Sequence, residues 1–412
     1  MLRFPEFRNS GVWKKFAIGD ISDVVAGATP STSNLNYWGG DVRWMSSGEL
    51  NLKRVYDVEK RITELGLKDN STKLIPPGSI LIGLAGQGKT RGTAAINYVE
   101  LCTNQSIASI LPNDTVFVSE FLYQKVDSLY QYLRFLSKGD GGRGGLNLQI
   151  IKSIELALPS IEEQHKIADC LYYLDELIAS HTKKHEELRA LKKGLMQQLF
   201  PAGDKTIPEF RFPEFVSNGE WTEMSLGEVF VEQSRPIKMQ DDHDYSLVTV
   251  KRRYGGVVSR GVLKGEAIKV KSQFSVKKDD FLISKRQIVH CACGLVPESL
   301  EGSIVSNEYS VLVAKNGYDV EFLNYFSQQF IVSQSFLKCS IGIVIEKMLF
   351  KLDDWLKERF LFPNLKEQQK IADCLSSIDE LIIEQTQKIE DLKAHKKGLV
   401  QQLFPAVNEV GT

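Results

Sequence analysis

Glu163 to Ala202 reads EQHKIADCLYYLDELIASHTKKHEELRALKKGLMQQLFPA, and Glu367 to Ala406 reads EQQKIADCLSSIDELIIEQTQKIEDLKAHKKGLVQQLFPA. The second stretch repeats the first 204 positions later with 27 of 40 residues identical, which marks a duplicated architecture. In each copy, residues suited to one face recur at alternating spacings of four and three. The first seam is Ile167, Leu171, Leu174, Ile178, His181, His185, Leu188, Lys192, Leu195 and Leu199. The second is Ile371, Leu375, Ile378, Ile382, Gln385, Ile389, Leu392, Lys396, Leu399 and Leu403. This heptad pattern predicts coiled-coil helices of about 40 residues, roughly 60 Å long. Polar residues interrupt both seams near the middle, a device that selects one pairing register.

Two similar seams in one chain are most simply buried on each other. The expected fold is mixed α/β with two long α-helices. Two globular domains would be separated by an antiparallel two-helix coiled coil with pseudo-two-fold symmetry. The alternative leaves each helix on its own domain. The duplication extends outward from the helices. Arg3-Phe4-Pro5-Glu6-Phe7 recurs as Arg211-Phe212-Pro213-Glu214-Phe215, and Gly11, Trp13 and Gly19 align with Gly219, Trp221 and Gly227. The expected boundaries are a first domain at 1–158, its helix at 159–202, a second domain at 203–362, its helix at 363–406, and a tail at 407–412. Between these anchors the halves diverge. Ser79–Ile82 and Asp280–Ser284 read as strands, and Phe121–Leu136 and Val320–Phe336 as helices. Pro159 and Pro363 precede the long helices, and Pro201 and Pro405 end them.

A length of 412 residues suits two or three domains, and 42% apolar with 25% charged residues is ordinary for soluble protein. The six cysteines form no dense framework, which favours a reducing cytosol. No signal peptide or membrane span is expected. Net charge is −1, so any nucleic-acid signal must be local. It is: Lys251 to Arg286 holds eleven basic residues against three acidic ones. Lys251, Arg252, Arg253, Tyr254, Lys285, Arg286 and Gln287 are the groups that neutralise phosphates and read base edges. The first half offers Arg43, Lys89, Thr90, Arg91, and Arg143 within the glycine-rich run Gly139–Gly145.

Other motifs carry less. Gly83–Thr90 fits the phosphate-cradling pattern G-x-x-x-x-G-K-[ST]. That chemistry needs a helix starting at the Lys-Thr, whereas Arg91–Tyr98 reads as a second strand. A basic hairpin tip is the expectation, and a nucleotide-binding protein the alternative. His290-Cys291-Ala292-Cys293 is too compact for a closed zinc site, and His181 and His185 lie on the seam. Cys170 and Cys374 read as small packing residues beside it. No nucleophile elbow, H-E-x-x-H, nuclease carboxylate cluster or amino-methyltransferase N/D-P-P-Y/F run is present.

The layout resembles the specificity subunit of Type I restriction-modification enzymes over essentially the whole chain. The residues that carry the likeness are Glu163-Gln164, Lys166-Ile167-Ala168, Lys192 through Phe200, and their second copies. Leu158-Pro159 and Phe362-Pro363 lead into the helices. Gly27–Ser31, Tyr37–Gly40 and Trp44–Gly48 look like a common type of recognition domain. The resemblance implies a non-catalytic, cytoplasmic subunit of bacteria or archaea. Each domain would read half of a bipartite site on double-stranded DNA. The helices, through Ile167, Leu171, Leu174, Ile178, Leu188, Leu195, Leu199 and Ile371, Leu375, Ile378, Ile382, Leu392, Leu399, Leu403, would set the spacer and dock two methyltransferase (modification) subunits. Motor-nuclease (restriction) subunits would join them. It further implies no cofactor on this chain, with S-adenosylmethionine, ATP and Mg2+ used by partner subunits. A coiled-coil scaffold without a DNA role is the remaining alternative.

Overall fold

A computed structural model describes residues 2–86, 90–137 and 145–404. The chain divides into two compact units, one built from residues 1–182 with 387–412 and the other from 183–386. The long helices run over Ile161–Gln198 and Leu365–Leu403, and both division points fall inside them. Each begins just after its proline with a side-chain cap: Ser160 Oγ accepts from Glu163 N at 3.4 Å, and Asn364 Oδ1 from Glu367 N at 3.1 Å.

The first unit centres on a five-stranded sheet in the order Val24–Ala26, Ile107–Ile110, Ile80–Gly83, Ala94–Asn97, Arg54–Val55. Its pairs are antiparallel except the last. Alternation splits the strand residues between two cores. Ile80 and Ile82 join the cluster under the helices, while Leu81 faces Met45, Leu50 and Ile75. A second sheet pairs Trp38–Met45 with Arg61–Ile62 and Cys102–Thr103. The residues after Gly83 return as the antiparallel strand Ala94–Asn97, with Thr93 N bonded to Thr90 O at 3.1 Å. No helix starts at Thr90, so the phosphate-cradling alternative lacks the element its chemistry requires.

The second unit has a four-stranded sheet, Phe230–Glu232, Tyr309–Ala314, Phe281–Ser284, Cys293–Leu295. Beside it lies a five-stranded one, Pro236–Ile237, Gln273–Ser275, Ile304–Ser306, Asp244–Val250, Val257–Lys264. Phe281 and Ile283 enter the helix-side core and Leu282 the other. The two expected mid-domain helices are each broken in two: Ser119–Ser128 and Tyr130–Leu136, then Val320–Phe326 and Phe330–Lys338. The second break sits at Gln329, extended at ψ 146°. Apolar spacing carries through such a break, so periodicity alone does not reveal it.

The repeated sequences close both cores in the same manner. In the first unit, Arg3 Nε donates to Glu163 Oε1 at 2.9 Å; in the second, Arg211 Nε donates to Glu367 Oε1 at 2.8 Å. Both carboxylates are buried. The adjacent glutamines hold the domains' own backbones: Gln164 Oε1 accepts from Val118 N, and Gln368 Oε1 from Asp319 N, each at 2.9 Å. In the first unit Ile167 and Leu171 pack with Leu399, Leu403 and Phe404, the Phe404 ring 5.5 Å from Phe121. In the second, Ile371 and Leu375 pack with Leu195, Leu199 and Phe200, the Phe200 ring 5.4 Å from Phe322. Within each unit, then, the start of one long helix lies against the end of the other, antiparallel. Each fully buried Leu or Phe here contributes roughly 1.5–3 kcal/mol.

Candidate nucleic-acid interface

In the second unit, the hairpin Asp244–Val250/Val257–Lys264 projects the turn Lys251–Gly256, closed by Lys251 N to Gly256 O at 2.9 Å. Arg253 and Tyr254 occupy consecutive left-handed conformations, φ 58° and 56°. Such residues persist only when their surroundings impose the geometry. Here Arg253 N donates to His290 O at 2.7 Å and Tyr254 N to Cys291 O at 2.9 Å. The Tyr254 ring packs against the helix-side core. Burial, reinforced by Cys291, pushes its phenol far above the ordinary range. Tyr254 is the anchor of the turn.

The loop Lys285–Gln287 follows the strand Phe281–Ser284 and meets that turn. Arg252 Nε donates to Gln287 Oε1 at 2.7 Å, so residues 35 apart in sequence form one surface. Acidic residues not singled out from the sequence line it. Arg252 Nη2 donates to Glu346 Oε2 at 2.9 Å, and Arg286 Nε to Glu308 Oε2 at 2.7 Å. His290 Nε2 lies 3.1 Å from Glu346 Oε1 without hydrogen-bond alignment. Lys285 Nζ donates to Asn307 O at 3.1 Å. Lys251 and Arg253 are exposed, and among the described residues neither has a carboxylate partner. Exposed ion pairs are worth about 0–1 kcal/mol, so phosphates can displace these acids at small cost. Beside the turn, a cavity of about 580 Å³ is lined by Tyr254, His185, Arg189, Lys192, Lys193 and Asp379. The cations of the first long helix thus extend the basic surface. No motif announces them: His185 and Lys192 read as seam positions, and Arg189 and Lys193 as ordinary exposed helix residues.

In the first unit, Arg43 lies on Trp38–Met45, its Nε 2.8 Å from Asp57 Oδ1; Arg61 Nη2 reaches the same oxygen at 2.8 Å. The hydrogen bond from Arg43 leads in holding the Asp57 carboxyl below the usual carboxylate range. Lys60 and Arg61 line a groove of about 500 Å³ with Trp38, Leu35, Gly39 and Gly40. The Trp38 and Trp44 rings meet edge-on at 5.1 Å. Their indole N–H groups donate to Ser31 O at 3.1 Å and Ala28 O at 3.0 Å, which fixes the Gly27–Ser31 segment. Gly27 must be glycine, since a Cβ there would sit 1.9 Å from Thr103 O. Thr90 and Arg91 lie in the hairpin turn, and the Arg91 Nε is buried without a hydrogen-bond partner among the described residues. Lys89 and Arg143 lie outside the described residues.

Every seam residue is buried or half-buried. The two seam lysines have partners in their own unit: Lys192 Nζ reaches Asp379 at 2.6 Å, and Lys396 Nζ reaches Asp175 at 2.5 Å. These are the same two repeat positions with copies exchanged. Arg54, inside the first unit, lies 3.2 Å from Asp175, pairs with Glu120, and lies 4.9 Å from the Tyr172 ring centroid. Cys293 is buried on its strand, its Sγ 3.9 Å from Ser327 Oγ, and burial pushes its thiol up to about 12. Among the described residues no three His, Cys, Asp or Glu side chains converge as metal ligands, and no helix is long and apolar enough to cross a membrane.

Two similar α/β units joined through duplicated helices, with two basic loops meeting on one face of the second unit, define a DNA-sequence-recognition architecture. Residues 11–190 and 218–394 match the Type I restriction modification DNA specificity domain, and the chain belongs to that family of specificity subunits. It is 27% identical to the MjaIX specificity subunit of Methanocaldococcus jannaschii, over 95% of this chain and 92% of the relative. It is 29% identical to the Escherichia coli EcoR124I/EcoR124II specificity subunit over 50% of each chain. The crystal structure of the M. genitalium S subunit shares the fold with a TM-score of 0.62 at 15% identity, covering 97% of this chain and 98% of that one.

Proposed function

We propose that this chain is the non-catalytic DNA-reading subunit of a Type I restriction-modification complex, with each recognition domain contacting one half of a bipartite asymmetric site. The long helices set the unspecified gap and dock two methyltransferase subunits, which motor-nuclease subunits join for restriction. The seam residues face inward, so docking falls to outward positions such as Tyr173, Leu191, Leu381 and Ile383, all exposed. S-adenosylmethionine, ATP and Mg2+ belong to the partners, in the cytoplasm of a bacterium or archaeon.

The observation that carries this reading is the meeting of two basic loops, Lys251–Tyr254 and Lys285–Gln287, on one exposed face through the 2.7 Å Arg252–Gln287 bond. Each phosphate neutralised contributes about 0.9 to the slope of log K against log salt. The assembled complex is expected to bind a bipartite duplex with steep salt dependence, and Arg252→Ala with Arg253→Ala should lower the slope by about 2. Indifference of the complex to every duplex overturns the proposal.

A further inference from the structure

The segment after the helix Phe330–Lys338 is a short hairpin whose strands Ser340–Ile341 and Leu349–Phe350 pair antiparallel. Its base is rigid. Phe350 is buried, its ring 6.1 Å from Phe336 and 5.9 Å from Trp355. Its tip is aliphatic and open: Ile343 is fully exposed, and Ile341, Val344 and Ile345 are each more than half exposed. Contiguous exposed aliphatics are costly in water and mark a contact surface.

The hairpin stands on the cationic face. Phe350 N donates to Lys285 O at 2.9 Å, and Glu346 bonds Arg252 and approaches His290. Arg252, held by Glu346, and Lys285, held at Phe350, put positive charge beside it, which disfavours a basic partner and attracts a polyanion. DNA presents apolar base faces and methyl groups between two rows of phosphates, a match for an apolar tip with cationic flanks. We propose that the tip Ile343–Val344–Ile345 enters a groove of the duplex and packs on base surfaces of the half-site read by the second unit, while Lys251, Arg252 and Arg253 hold the flanking phosphates. This inference rests on the DNA-reading function proposed above. Phosphate would take Arg252 from Glu346, releasing the tip toward the bases.

The test substitutes Ile343→Ser, Val344→Ser and Ile345→Ser together in the full chain, assembled with its methyltransferase subunits. These side chains lie outside the core, and Ile343→Ser alone serves as a milder second variant. Binding to the mapped site and to a scrambled duplex is measured across a salt series. The triple variant is expected to assemble normally and keep its salt slope and its affinity for scrambled DNA, yet bind the mapped site about tenfold more weakly. Unchanged affinity for the site overturns the inference. So does loss of assembly with normal DNA binding by what assembles, which would make the tip a protein-docking element. An equal loss on both duplexes with a shallower salt slope also overturns it, by reducing the hairpin to a support for Arg252. If the unsubstituted complex prefers no duplex, the function proposed above fails, and this inference falls with it.

Discussion

Glu163 and Glu367 are the residues on which each unit closes. Each is a buried carboxylate with an arginine from the distant RFPEF segment as its ion-pair partner, and removing one partner leaves a buried charge uncompensated. Arg211→Ala should therefore destabilise the second unit by about 3–5 kcal/mol in denaturant unfolding, far more than loss of the exposed Arg286–Glu308 pair. The repeat of RFPEF and of Glu-Gln was legible in the sequence. That the two motifs bond was not, because 160 residues separate them in the first unit and 156 in the second, and no spacing rule links them. Lys125 supplies a pH test. Burial pushes its ammonium down to about 8, beneath its unfolded value near 10.4. The unfolded chain therefore binds more protons between those values, and stability rises with pH across that window. Lys125→Met should therefore flatten that rise, read as melting temperature against pH from 7 to 10.

The long helices show what periodicity can and cannot carry. Four-and-three spacing anticipated which positions lie inward. It treated Lys192 and Lys396 only as interruptions, whereas each meets an aspartate of the other helix copy within its own unit. Both pairs are partly buried, so a double-mutant cycle on Lys192 and Asp379 should give a coupling of about 1 kcal/mol; a coupling near zero would make the pair incidental. Helix ends matter as much as seams. Phe404→Ala removes a ring from the first unit's core and should cost about 3–5 kcal/mol there. Hydrogen exchange should quicken in Ile80–Gly83 and stay unchanged in Phe281–Ser284. The candidate site was less legible. Charge counting singled out Arg252 and Arg286, but their counter-ions Glu346 and Glu308 come from segments with no pattern of their own. That Tyr254 packs on the core was not legible either, because a tyrosine beside arginines carries no mark of which way its ring turns.

At the scale of the molecule, a net charge of −1 coexists with a local excess of eight positive charges between Lys251 and Arg286. The duplicated sequence closes cores and joins helices, whereas the basic run Lys251–Tyr254 has no counterpart in the first half. That division predicts that specificity is modular. The most direct test maps modified bases genome-wide in a host carrying this chain with its methyltransferase subunits, beside a chain whose residues 203–362 come from another family member. The parent should give one bipartite motif, and the exchange a motif changed in one half and kept in the other. A single contiguous motif, modification without sequence preference, or a change in both halves would contradict it.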